Sequence, residues 1–115
     1  MEKLDKGKKG EDQALDFLLT QGYRLITRNY TSLNAEIDLI VQKEDLLVFV
    51  EVRVKATADY GYPEQSLSRA KINAIKRGAA AFLFQRSLPE KVRFDMISIV
   101  EYPRWELTHF EDAFF

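Results

Sequence analysis

The stretch "LLVFVEVRVK", residues 46–55, decides how this chain is read. In an extended backbone the side chains alternate between faces, so Val48, Val50, Val52 and Val54 point one way and Phe49, Glu51, Arg53 and Lys55 the other. The valines read as the core-facing side of a strand. The charged side is either a solvated ladder of ion pairs, each worth a few tenths to about 1 kcal/mol, or the place where the chemistry is done.

The stretch before it sharpens that choice. "AEIDLIVQ", residues 35–42, alternates as well, with Ile37, Leu39 and Val41 on one face and Glu36, Asp38 and Ile40 on the other. Asp38 stands inside a strand, where aspartate is disfavoured. "KED", residues 43–45, is of hairpin length, so the strands holding Asp38 and Glu51 are predicted to be antiparallel neighbours with their charged faces in common.

Further out, residues 8–21 read as a helix with Ala14, Leu15, Phe17 and Leu18 on its apolar stripe and Gly22 as its stop. Glu11 falls in line with that stripe, which a first-turn acid at the positive end of the helix also explains. Residues 23–30 have strand composition and are followed by the turn residues "TSLN". After the loop "ATADYGYP", Pro63 fits the first turn of a long helix over residues 64–86, whose stripe combines Leu67, Ile72, Ile75, Ala79, Phe82 and Leu83. Lys71 lies inside the edge of that stripe, whereas Arg69 and Lys76 stand on its wet flank. "VRFDMISIV" and then "WELTHF" read as two further strands. The order α-β-β-β-α-β-β implies a single α/β domain over residues 1–115, a mixed sheet with a helix on each side or both on one side.

Composition sets outer limits. The chain has 115 residues, 46% hydrophobic and 30% charged, which suits one folded domain. It has no cysteine, no apolar run long enough to cross a bilayer and no apolar signal segment at its polar start, so the expectation is a cytoplasmic protein away from membranes. A net charge of −1 excludes a blanket positive field for nucleic acid, so any such contact must be local. Lys3, Lys6, Lys8 and Lys9 near the start, and Arg69, Lys71, Lys76 and Arg77 later, are the local basic groups.

Elimination then narrows the chemistry. His109 is the only histidine, and neither G-x-x-x-x-G-K-[ST] nor G-x-G-x-x-G occurs, leaving carboxylates and lysines. Asp38 and Glu51 would offer Mg²⁺ or Mn²⁺ the oxygen ligands it prefers, with waters and a substrate phosphate completing the shell. Without a cation, two charges about 4 Å apart repel by roughly 4 kcal/mol at an effective dielectric of 20.

Taken together, "GKKGEDQALDFL", "RNY", "AEIDLI", "LVFVEVRVK", the Lys71 helix, "RFDMISI" and the closing "AFF" resemble the YraN family of small bacterial proteins over nearly the whole chain. That family is placed among the restriction-endonuclease-like, PD-(D/E)xK nucleases and is similar to archaeal Holliday-junction resolvases. The resemblance implies a restriction-endonuclease-like fold and a Mg²⁺-dependent nuclease acting on DNA, branched or damaged DNA among the candidate substrates. It makes Asp38 and Glu51 the metal ligands and Glu11 an auxiliary acid. Arg53 occupies the position of the superfamily lysine. An arginine can hold a phosphate or a water but cannot take a proton from it. Ala35 stands where many relatives have glycine. Lys55 or Lys71 could replace the missing lysine, and Lys8, Lys9, Arg53 and Lys71 are the candidate contacts to nucleic acid.

Two other readings belong to different classes. One is a catalytically silent domain that binds nucleic acid on the same scaffold. The other is a protein-interaction module, alone or as a homodimer, with Tyr60, Tyr62, Trp105, Phe114 and Phe115 as aromatic anchors, core packing being the simpler expectation for Trp105.

Overall fold

A computed structural model describes residues 2–86 and 91–114, with side chains from residue 8 onward. The chain runs α1 (Glu2–Thr20), β1 (Arg24–Ser32), β2 (Ala35–Lys43), β3 (Leu46–Lys55), a 3-10 turn (Pro63–Ser66), α2 (Arg69–Phe84), β4 (Lys91–Val100) and β5 (Glu106–Phe110). The five strands form one sheet in the order β1-β2-β3-β4-β5. All neighbours are antiparallel except β3 and β4, which run parallel over the full length from Leu46↔Lys91 to Lys55↔Val100.

The helices lie on opposite faces. Ala14 and Leu18 of α1 pack with Leu39, Val41, Val48, Val50, Ile97 and Ile99. On the other face Ile75 and Ala79 of α2 pack with Ile37, Ile40, Leu47, Phe49, Met96 and Phe114. The opening stretch is therefore buried on both faces from Leu47 to Glu51, and Leu46 and its last four residues are half-buried. The two-faced reading fails for its first half because a central strand between two helix layers has no wet side.

Three further expectations are corrected. The helix over residues 64–86 is broken: Leu67 leaves the 3-10 turn in an extended conformation, and Ser68 opens a new helix by accepting the Lys71 N–H on its hydroxyl at 3.1 Å. Ile37 packs on the α2 side with Ile40 rather than on the α1 side with Leu39 and Val41, so the alternation of β2 slips between them. Phe114 is not an exposed anchor. It is 5% exposed, and its ring stacks on Phe94, which stacks on Phe49. Phe115 and the side chains of Lys3 and Lys6 lie outside the described residues.

Local chemistry fixes how α1 sits. Its end is a glycine cap: Gly22 has φ +96°, its N–H donates to Leu19 O, and the Tyr23 N–H donates to Leu18 O. At Gly10 the helix comes so close to β3 that a Cβ there would collide with Val54 Cγ2.

At the β4–β5 side, Asp95 is fully buried and accepts hydrogen bonds from both Arg93 nitrogens at 2.7 and 2.8 Å, from the Asp112 N–H at 3.0 Å, and pairs with His109 Nε2 at 2.8 Å. Burial opposes its charge, and the bonds from His109, Arg93 and Asp112 outweigh burial, leaving its pKa below the usual range. A depressed carboxylate adds stability that is fully present above the unfolded value, about 3.9, and is lost as pH falls through the folded one. Asp95→Ala is expected to cost about 3 kcal/mol or more at neutral pH, since it strands Arg93 half-sequestered. Urea unfolding checks this, and the wild-type advantage over Asp95→Asn narrows as the pH is taken below about 3.9.

Candidate functional site

The pairing of β2 with β3 ends at Leu39↔Val50. Beyond that point β3 stays paired to β4 and β2 to β1, so the two strands part and leave backbone groups of β3 unmatched on one side. The Asp38 carboxylate fills this gap: its Oδ2 accepts the Val52 N–H at 2.8 Å. The slip in β2 is what turns Asp38 into that position, and it explains why an aspartate is tolerated inside a strand.

Glu51 comes into the same gap from β3. It is 4% exposed, and its Oε1 is buried with no donor to satisfy it. Burial raises the Glu51 pKa, opposed by the charge of Lys71 and then of Arg53. Burial and the neighbouring Glu51 charge push Asp38 up to about 7, the Val52 N–H working the other way. Asp38 and Glu51 are thus close neighbours, and burial together with the Glu51 charge favours the protonated form of Asp38. Arg53 and Lys71 offset the Glu51 charge; for Asp38 a proton does so at low pH, and a cation can do so above it.

Arg53 Nε lies 3.1 Å from Glu51 Oε2, but its N–H is not aimed at that oxygen, so the contact is an ion pair without a directed hydrogen bond. Lys71 is half-buried in the first turn of α2, a turn that contains no acid. Cations at the positive end of a helix are locally unfavourable, and the nearby Glu51 charge is what offsets this one. Lys55 ends β3, about 13 Å further along the strand than Glu51. Lys8 and Lys9 are exposed on α1.

Glu11 is brought to the rim rather than into the pair. Burial and then the charge of Asp38 raise its pKa, while Arg28 lowers it. Its carboxylate takes a hydrogen bond from Arg28 Nη2 at 3.4 Å, and the Asn29 amide, in the orientation its surroundings require, donates to both Glu11 oxygens at 3.0 and 3.2 Å. Arg28 also bonds Asp12 at 2.9 Å. Sequence reasoning gave Arg28 and Asn29 no role. The available signal was an asparagine inside a strand, and Asn29 has φ +54°, between the register pairs Arg28↔Leu39 and Tyr30↔Ile37.

Among the described residues no group of three or more carboxylates or histidines is spaced to hold a metal ion. The donor set that does fit is the two-carboxylate kind Mg²⁺ accepts when waters and substrate complete its shell, with the orphaned Glu51 Oε1 as the oxygen in want of a cation.

The linkage of this pair has a definite sign. Asp38 is raised above its ordinary 3.8, so its contribution to stability is full below that value and is lost as pH rises through about 7. In EDTA the melting temperature is expected to fall between acid and mildly alkaline pH, and Asp38→Asn to flatten that fall. Mn²⁺ added at alkaline pH raises the melting temperature of the wild type and not of Asp38→Asn, which differential scanning fluorimetry reads directly.

No described helix is long and apolar enough to cross a membrane. The model of an uncharacterised protein family, UPF0102, matches residues 10–99. A UPF0102 protein of Persephonella marina is 43% identical over 110 residues, covering 95% of this chain and 92% of its own. One from Flavobacterium psychrophilum is 38% identical over 112 residues, covering 96% and 94%. One from Thermodesulfovibrio yellowstonii is 33% identical over the whole of both chains. With the matched region covering the second half of α1, all of α2, Asp38 and Glu51, the chain belongs to the uncharacterised protein family UPF0102, the YraN family that its motifs resemble.

Proposed function

We propose that this protein is a metal-dependent nuclease that hydrolyses phosphodiester bonds in DNA, with Asp38 and Glu51 as the residues that would hold Mg²⁺ or Mn²⁺. The observation that carries the reading is the meeting of the Asp38 and Glu51 carboxylates in the gap between β2 and β3, with Glu51 Oε1 buried and unsatisfied. A surface ion-pair ladder does not explain a 4% exposed glutamate. A divalent ion bound there supplies polarisation of the phosphodiester and a more acidic water.

The chain's own groups do the rest. The Val52 N–H fixes the Asp38 carboxylate, so one oxygen is oriented before any ligand arrives. Arg53 and Lys71 approach Glu51 from strand and helix and bind a phosphate carrying the scissile bond. Glu11, anchored by Arg28 and Asn29, holds a water at the rim. Lys8 and Lys9 meet phosphates further along the strand. Purified protein is expected to cleave DNA with Mg²⁺ or Mn²⁺ and not in EDTA. Asp38→Ala and Glu51→Ala each reduce the rate at least a hundredfold, with circular dichroism unchanged. Cleavage by both variants at the wild-type rate would sink the site assignment.

A second reading, a silent nucleic-acid-binding or adaptor domain, monomeric or dimeric, is favoured by Arg53. Its permanent charge 3.1 Å from Glu51 neutralises the carboxylate that a metal would need. Under that reading the wild type cleaves nothing and Arg53→Lys gains metal-dependent cleavage. A plasmid-nicking assay on the two proteins side by side separates the cases.

A further inference from the structure

We propose that the exposed aromatic side chains where β3 and β4 leave the sheet stack on the unpaired bases of single-stranded DNA; the choice of nucleic acid as the ligand rests on the nuclease reading above. β3 and β4 are the one parallel pair of the sheet, so their carboxyl ends lie at the same edge. The Glu101 N–H donates to Lys55 O at 3.0 Å and holds the two exits side by side. The segments that follow, residues 56–62 and 101–105, enclose a cleft of about 230 Å³ whose lining includes Asp59, Tyr62, Tyr102 and Arg104. Parallel strands commonly bind ligands at this end.

Aromatic surface is concentrated here. Tyr60 is 98% exposed, Tyr102 67%, Tyr62 51% and Trp105 48%, although the protein buries the rings of Phe49 and Phe114 elsewhere. Trp105, which core packing would have covered, lies open because β5 begins only at the next residue. The cleft is walled by the Asp59 and Glu106 carboxylates, the Arg104 guanidinium and the phenols of Tyr62 and Tyr102, groups that hydrogen-bond base edges and stack on base faces, with Tyr60 exposed on the same loop beside it. A protein-docking site would instead place its apolar groups at the centre and the polar ones around them.

The backbone beneath Tyr60 and Tyr62 and the ring of Trp105 are held in advance of any ligand. Tyr60 rides a turn closed by the Gly61 N–H to Ala58 O at 3.0 Å, with Gly61 at φ +113°. The Asp59 N–H bonds Thr57 Oγ1 at 3.2 Å, and the Tyr62 N–H bonds Gln65 Oε1 at 2.9 Å. Trp105 Nε1 donates to Gln13 Oε1 at 3.2 Å, which ties this surface to α1. Little ordering remains to be done on binding. The strand that ends at this cleft also carries Glu51, Arg53 and Lys55, which places the cleft and the candidate site on one element. Unpaired bases are required because a duplex already occupies its base faces.

Trp105 is the only tryptophan and makes its own probe. In EDTA and low salt, the protein is titrated with a short oligothymidylate, an abasic strand of equal length and a duplex of equal length. Oligothymidylate is expected to quench Trp105 and to bind at least about fivefold tighter than the abasic strand, and Tyr60→Ala to lose at least about fivefold on oligothymidylate alone. Equal affinity for oligothymidylate and the abasic strand, or unchanged binding by Tyr60→Ala, overturns the proposal. No metal is present, so the nuclease reading is judged separately: binding through Tyr60 without cleavage in Mn²⁺ removes that reading and keeps this one, and the opposite pair of results does the reverse.

Discussion

The structure turns on the place where β2 and β3 stop pairing. A sheet interior cannot leave its N–H groups unmatched at low cost, and the β3 backbone loses its β2 partner just beyond Val50. Asp38 meets that need through the Val52 N–H, and in doing so it is drawn beside Glu51. One hydrogen bond therefore does two things. It closes the sheet where the strands part, and it sets two carboxylates in a space where they cannot both be charged without a counter-ion.

Everything around the pair responds to that missing charge. Arg53 comes from the same strand, Lys71 from the first turn of α2, and each lowers the energy of an ionised Glu51. Lys71 accepts an unfavourable position at a helix start, and Ser68 caps the helix in compensation. Glu11 is kept from joining as a third unpaired acid by Arg28 and Asn29. The close seat of α1 at Gly10 on Val54 puts Glu11 at that distance in the first place. Local preferences are broken at Asp38, Asn29 and Lys71, and such breaks gather at functional sites.

A second, separate network shows what a purely structural charge cluster looks like in the same molecule. Asp95 is as buried as Glu51 but fully satisfied by Arg93, His109 and the Asp112 N–H, so its pKa goes down where those of Asp38 and Glu51 go up. His109, alone in the sequence, is absorbed there. The contrast between satisfied and unsatisfied carboxylates, more than their burial, sets the gap between β2 and β3 apart as the candidate site.

The order of elements and the β2–β3 hairpin that carries Asp38 and Glu51 were legible in sequence because period-2 alternation, a hairpin-length link and a disfavoured aspartate are local signals. Gly22 announced the end of α1 for the same reason. The break at Leu67 was hidden, because apolar spacing ran through it while Ser68 capped the helix behind it. The side taken by Ile37 was hidden too, since a slip in alternation leaves no trace in composition. Arg28, Asn29 and the exposure of Trp105 depend on partners far apart in the chain, Glu11, Asp38 and Gln13, and no local pattern encodes those meetings. The sequence by itself determined which carboxylates share a hairpin; only the tertiary structure decided that they are buried together, because burial arises from packing helices on both faces of the sheet.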